Sequence, residues 1–245
     1  MITVETQTIA DLVREVPLRA NTFERHQIDY CCNGKRLLQE VCAERGLDMA
    51  EIVAELDVTP EPAGELDFET MSLAALCDHI VSRHHEYLRT NLPSVAMKAK
   101  KVATVHGAAA ANLIELERVF QGLSAELTQH MGKEEIVLFP LIARIEEAAR
   151  ADAAAPQAPG GTVQNPIRMM EHEHEYVGRE LQKIRELTSD YEPPAAACNT
   201  YRALYAQLED FERDLHTHIH LENNILFPRA ARLESQLGES QPRAV

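Results

Sequence analysis

The stretch His218-Ile219-His220-Leu221-Glu222-Asn223-Asn224-Ile225-Leu226-Phe227-Pro228 carries a histidine and a glutamate four residues apart. On a helix, His218 and Glu222 lie one turn apart on one face, so nitrogen and carboxylate oxygen can hold a metal ion from one side. The same frame occurs earlier as His130-Met131-Gly132-Lys133-Glu134-Glu135-Ile136-Val137-Leu138-Phe139-Pro140, with His, Glu, Leu, Phe and Pro in register 88 positions before. A further echo pairs His85-Glu86-Tyr87 with His174-Glu175-Tyr176, 89 positions apart. The C-terminal two-thirds of the chain therefore reads as a duplicated helical hairpin. Each half supplies one lone histidine and one His-x-x-x-Glu pair.

The 245 residues suffice for one good core and a smaller domain. The net charge of −15 repels phosphate backbones and anionic lipid, which argues against nucleic-acid or membrane-surface binding. No apolar run has the length to span a bilayer. Met1 to Ala20 carries Glu5, Asp11, Arg14 and Glu15 where a signal peptide needs an apolar core, so a cytoplasmic protein is expected. Five cysteines, an odd number, point to reduced thiols rather than a disulfide framework. Eleven histidines beside six Phe, six Tyr and no Trp are the unusual feature, since imidazole is the commonest metal ligand.

The first 58 residues read as a small helical domain, the stretch 59–69 (Thr59-Pro60-Glu61-Pro62 and on) as a linker, 70–235 as the bundle and 236–245 as a tail. Asn33 is placed to cap a helix. That would set Cys31 and Cys32 just before its N-terminus beside Lys35 and Arg36, surroundings that favour thiolate. Cys42, Cys77 and Cys198 are expected to pack as small apolar residues. From Ser72 onward the apolar spacing is helical, with breaks expected at Asn91-Leu92-Pro93, at His106-Gly107 and near Pro140. Ala148 to Asn165 reads as a loop between the halves, and Pro193-Pro194 as a turn. Four long helices and no strand pattern give an all-α fold, an antiparallel four-helix bundle preceded by a small helical domain.

In such a bundle, ligands on facing helices project into a shared interior. The repeat selects His85, His130, Glu134, His174, His218 and Glu222. His216 and His220 lie about 200° around the helix from His218 and cannot share its face. The His-Glu-Tyr echo likewise selects His85 over His84 and His174 over His172. Burying four histidines and two carboxylates without partners would cost several kcal/mol each, so their matching register is read as a metal site. Structural zinc prefers four tetrahedral nitrogen or sulfur ligands, whereas two carboxylates able to bridge suit two ions of larger coordination number. Glu126, one turn before His130, and Glu173, beside His174, are either solvated surface or outer carboxylates. In the second case they accept an imidazole N–H or conduct protons and ions.

On these residues, the region from about 70 to 235 resembles the hemerythrin-like four-helix bundles that bind two irons. Joined to Asp29-Tyr30-Cys31-Cys32-Asn33-Gly34-Lys35, it resembles more narrowly the iron–sulfur cluster repair di-iron proteins. The resemblance implies a carboxylate-bridged pair of non-haem iron ions and a fifth histidine ligand, matched by His106. It also implies a redox, iron-handling or nitrosyl-handling role for Cys31 and Cys32. A stress-response function follows, the repair of clusters damaged by oxidants or nitric oxide, by iron delivery or by nitric oxide chemistry. The expected partners are damaged iron–sulfur proteins, nitric oxide or dioxygen, and a second copy in a homodimer. A hemerythrin-like dioxygen or nitric oxide sensor is the alternative. His106 lies 21 residues beyond His85, about 32 Å along one straight helix, so sharing the site requires a bend near Leu92-Pro93.

Overall fold

The computed structural model describes residues 7–57, 67–158 and 160–239. Residues 59–66 of the expected linker and 240–245 of the tail lie outside them.

The N-terminal part begins with α1 (Ile9–Glu15), whose first turn is closed by a reciprocal cap between Thr8 and Asp11. A 3-10 turn at Pro17–Arg19 leads into α2 (Ala20–Arg25). After a loop come α3 (Leu38–Arg45), ended by Gly46 at φ 66°, and α4 (Met49–Leu56), capped by the Asp48 side chain. The left-handed residue at the end of α3 explains a glycine there.

Four long helices follow. The first runs through Leu73–Ile80, Val81–His85 and Glu86–His106, the second through Asn112–Lys133, Glu134–Leu138 and Phe139–Arg150. The third is Gln164–Thr188, and the fourth runs through Asn199–Leu221, Glu222–Leu226 and Phe227–Glu239. The middle segment of each three-part helix is a single π-helical turn. A proline ring collides with the carbonyl four residues back in a regular helix. The wider turn just before Pro140 and Pro228 moves that carbonyl aside, so the helices continue where a break near Pro140 was expected. Pro93 also lies inside its helix, and the expected interruption at residues 91–93 does not occur.

The duplication extends to the helix ends. Glu146 accepts from the Leu73 and Ala74 amides at 2.8 and 3.1 Å. Its counterpart 88 residues on, Glu234, accepts from the Val163 amide at 2.9 Å. Each carboxylate lies against the positive start of the helix before it.

Two apolar clusters flank a polar layer. One holds Leu88, Leu92, Leu123, Leu127, Leu181, Leu208 and Leu215, and the other Leu76, Ile80, Leu141, Ile142, Ile167, Leu226 and Phe227. The first also contains Ile9, Leu12, Phe23, Tyr30, Leu38, Ile52 and Leu56, so the N-terminal helices and the bundle share one core. The small helical domain therefore packs directly on the bundle. Polar contacts reinforce it: His216 Nδ1 lies 2.7 Å from Glu24 Oε1, and Gln27 donates to Asp190 at 3.0 Å.

A shared core predicts one cooperative transition. Phe23→Ala should cost about 3–5 kcal/mol. Thermal unfolding followed by circular dichroism should show the whole helical signal shifting together; two separate transitions would mean that the segments fold independently.

Candidate metal centre

The polar layer is built by the residues that the repeat selected. His85, at the end of the first π turn, and the His218–Glu222 pair of the fourth helix meet Glu134. On the other side His130 and His174 meet the same two carboxylates. Glu134 and Glu222 therefore belong to both groups, and within each group the ligand atoms lie within 4.8 Å of one another. His85 Nε2 is 3.3 Å from Glu134 Oε2 and 3.3 Å from His218 Nε2, which is 3.0 Å from Glu222 Oε1. His130 Nε2 is 3.4 Å from Glu134 Oε1, and His174 Nε2 is 3.1 Å from Glu222 Oε2.

All six side chains are buried, with both glutamates at 0 % exposure. Glu134 Oε1, Glu134 Oε2 and Glu222 Oε2 are enclosed without a hydrogen-bond partner, although imidazole nitrogens stand close. Neutral chemistry does not satisfy them; a cation between the Nε2 and carboxylate atoms does. Burial opposes the charge on Glu222, yet His218 and His174 hold its carboxyl well below the usual range. Glu134 is also lowered, since His130 and His85 outweigh burial and the repulsion of Glu222. Burial works against a charged His130, but Glu134 and Glu173 raise it to about 10. Burial also opposes a charged His85, but Glu134 raises it, whereas burial prevails at His218 and lowers it.

Three of the four imidazole rings are fixed from behind through their Nδ1 atoms. His85 Nδ1 lies 2.6 Å from Glu135, His130 Nδ1 2.9 Å from Glu173, and His174 Nδ1 2.8 Å from Asn223 Oδ1. Such partners set the tautomer and leave Nε2 facing the site. Glu135 and Asn223 occupy equivalent positions in the two halves, each following its shared glutamate. The sequence reading missed both, although their place in the repeat was the available signal. His218 differs: its Nδ1 has no partner. His84 stacks on it, with centroids 5.4 Å apart and planes at 8°. His84 itself is held by Asp214 at 3.0 Å. Phe139 and Phe227, also repeat-equivalent, stack on His85 and His174 at 5.8 and 6.1 Å. They close the layer with apolar surface.

The other expected residues divide. Glu173 reaches a ligand ring, that of His130, and Lys133 Nζ holds its second oxygen at 2.5 Å. Glu126 is exposed and lines, with His130, His172, Glu173 and Tyr176, a cleft of about 300 Å³. His216 and His220 face the N-terminal part, and His172 is exposed. His106 is not brought to the layer: with no bend after Pro93, it ends the first long helix beside Cys198.

The thiol environment also differs from the expected one. No helix starts at Asn33; α3 begins at Leu38, and Lys35 and Arg36 pair with Glu171 and Glu44. The nearest charge is Asp29, which accepts from the Cys31 and Cys32 amides at 3.1 and 2.8 Å and lies 3.3 Å from Cys31 Sγ. A bond to Cys32, burial and this carboxylate push the Cys31 thiol up and keep it neutral. Cys31 Sγ is 3.6 Å from Cys32 Sγ, and Cys32 Sγ lies 3.7 Å from the His174 carbonyl oxygen. Asn223 completes the connection: its Nδ2 donates to the Cys31 carbonyl at 3.4 Å while its Oδ1 accepts from His174. Asn224 donates to the same carbonyl at 3.0 Å.

The outer partners should be measurable in metal affinity. Glu135→Gln, Glu173→Gln and Asn223→Ala should each weaken iron or cobalt binding by about 10–100-fold in competition with a chelator. His106→Leu should leave metal content unchanged; a loss equal to that of His130→Leu would place His106 at the centre.

Residues 78–230 match the Hemerythrin HHE cation binding domain, and residues 5–59 match the family ScdA_N, a domain of unknown function (DUF542). The chain is 38% identical over 229 residues to the iron-sulfur cluster repair protein YtfE of Yersinia pseudotuberculosis serotype IB (strain PB1/+), covering 93% of this chain and 98% of that protein. The same protein of Yersinia pestis (strain Pestoides F) is matched at the same identity and coverage. A shared helical bundle, a shared N-terminal domain and near-complete coverage of these relatives give one conclusion: the chain belongs to the hemerythrin-type family of iron–sulfur cluster repair proteins YtfE.

Proposed function

We propose that this protein holds two iron ions between its long helices and serves in the restoration of damaged iron–sulfur clusters, the activity in the name of its Yersinia relatives. One observation carries the reading: Glu134 and Glu222, both sealed from solvent, each face both histidine groups. His85 and His218 would hold one ion, His130 and His174 the other, and the two carboxylates would bridge. Bound iron would supply coordination positions open to small ligands such as nitric oxide or dioxygen, and would itself be cargo for an apo-cluster.

The chain's own residues suit iron transfer. The cleft lined by Glu126, Glu173 and Arg179 leads from the surface to His130, and its two carboxylates offer oxygen atoms to a passing cation. Glu173 pairs with both Lys133 and His130, so one side chain links the cleft to the centre. Cys31 and Cys32 line a second cleft of about 420 Å³ with Asp29, Glu175 and His216, and Cys32 Sγ lies 3.7 Å from the His174 carbonyl oxygen. Iron or nitrosyl groups passing between a client and the centre would meet these thiols. The free cysteines suit a reducing cytoplasm, and no helix among the described residues is long and apolar enough to cross a membrane.

Purified protein should bind about two irons per chain, with the oxidised form nearly silent in EPR because bridged ions couple magnetically. Glu134→Ala with Glu222→Ala should abolish both. One iron surviving that double change, or a single tightly bound zinc, would overturn the assignment. Cys31→Ser with Cys32→Ser should keep the iron yet restore damaged clusters more slowly; unchanged restoration would remove the thiols from the function.

A further inference from the structure

The end of the bundle remote from the metal layer holds a second chemical pair. His106 closes the first long helix, and its Nε2 lies 3.4 Å from Cys198 Sγ. Cys198 is itself the N-cap of the segment Asn199–Leu221, with extended φ −72° and ψ 166°. The helix therefore points its unpaired amides and the positive end of its dipole at the sulfur. Cys198 is exposed, whereas Cys31, Cys42 and Cys77 are buried and Cys32 is partly covered. Nucleophile, neighbouring base and solvent access thus meet at one point. About 30 Å of continuous helix separates it from His85, so it takes no part in holding metal.

We propose that Cys198 and His106 form a reactive thiol site that exchanges with small disulfides, giving a mixed disulfide at the remote end of the bundle. The sulfur attacks one sulfur of the disulfide; a new S–S bond forms as the old one breaks, and the other half leaves as a thiolate. The Cys198 proton passes to His106 Nε2 and from there to the leaving thiolate, so no external oxidant beyond the disulfide is consumed. His106 and the Tyr201 and Thr200 amides hold the Cys198 thiol below its ordinary range, in keeping with this geometry. The titratable neighbours are Tyr201, against the His106 ring, and Tyr205, whose hydroxyl lies 3.2 Å from that of Tyr201. The loop after His106, residues 107–111, is Gly-Ala-Ala-Ala-Ala, and Arg202 on the same helix is engaged by the Pro194 and Ala195 carbonyls. The Tyr201 ring packs 5.6 Å from the imidazole and holds it in place.

The site accounts for two departures from the sequence reading, the exposed Cys198 and the misplaced His106, by one contact. Its test uses the full-length protein. Alkylation of each cysteine by iodoacetamide is followed by mass spectrometry from about pH 5 to about pH 9, and mixed-disulfide formation with glutathione disulfide is measured in parallel. Cys198 should react first, with a midpoint below that of an unstructured cysteine. His106→Phe, which keeps a ring against Tyr201, should raise the midpoint and slow reaction near neutral pH by about tenfold. His106→Gln gives the same comparison should the aromatic variant lose helix content. Metal content should stay constant in both. Reaction of Cys198 at the rate of the same cysteine in the denatured chain, or a rate indifferent to both substitutions, would overturn the proposal.

Discussion

Two carboxylates facing each other in a sealed interior are the constraint on which the rest of this structure depends. Glu134 and Glu222 would repel, and each would revert to the neutral acid, without positive charge between them. The four imidazoles around them, the apolar clusters above and below, and the phenylalanines stacked on His85 and His174 make sense only with that charge supplied. Proteins rarely tolerate such a layer inside a bundle unless it is paired or coordinates metal. Here the layer divides the hydrophobic core in two, and three of the four long helices widen into π turns where they pass it.

The duplication supplies the scaffold, and its breaks supply the asymmetry. Glu146 and Glu234 cap the first and third long helices in the same way. Glu135 and Asn223 hold His85 and His174 from equivalent places, but one is a carboxylate and the other a neutral amide. Glu173 holds His130; at the matching place in the first half stands His84, which stacks on His218 and bonds Asp214 instead. Outer carboxylates raise the basicity of a ligand imidazole, whereas an amide or a stacked ring does so far less. The two histidine groups therefore face different electronic surroundings, and a cleft reaches His130 from the surface.

The N-terminal helices are joined to this layer by a short chain of hydrogen bonds. The Cys31 carbonyl, Asn223 and His174 lie in series, so a histidine of the polar layer and the thiol loop share one side chain. A movement of the His174 ring would be felt at the Cys31 carbonyl through Asn223. The shared core makes the connection stiff, because Phe23 and Tyr30 pack in the same cluster as Leu181 and Leu208.

By itself the sequence determined the helical class, the duplicated hairpin and the six residues of the polar layer. Ligand geometry on a helix is local: His-x-x-x-Glu fixes one face, and the 88-residue register repeats it. It offered Glu126 and Glu173 alike as solvated surface or outer carboxylates, and only the fold brings Glu173 to an imidazole and leaves Glu126 exposed. What only the tertiary structure decided depended on partners distant in the chain. His106 pairs with Cys198 because the helix continues through Pro93, a matter of packing that a proline alone does not settle. The Cys31 thiol is held neutral by its bond to Cys32, by burial, and by Asp29, onto which the loop folds, away from Lys35 and Arg36. Burial and charge proximity are sums over the whole fold, so no local pattern of residues contains them.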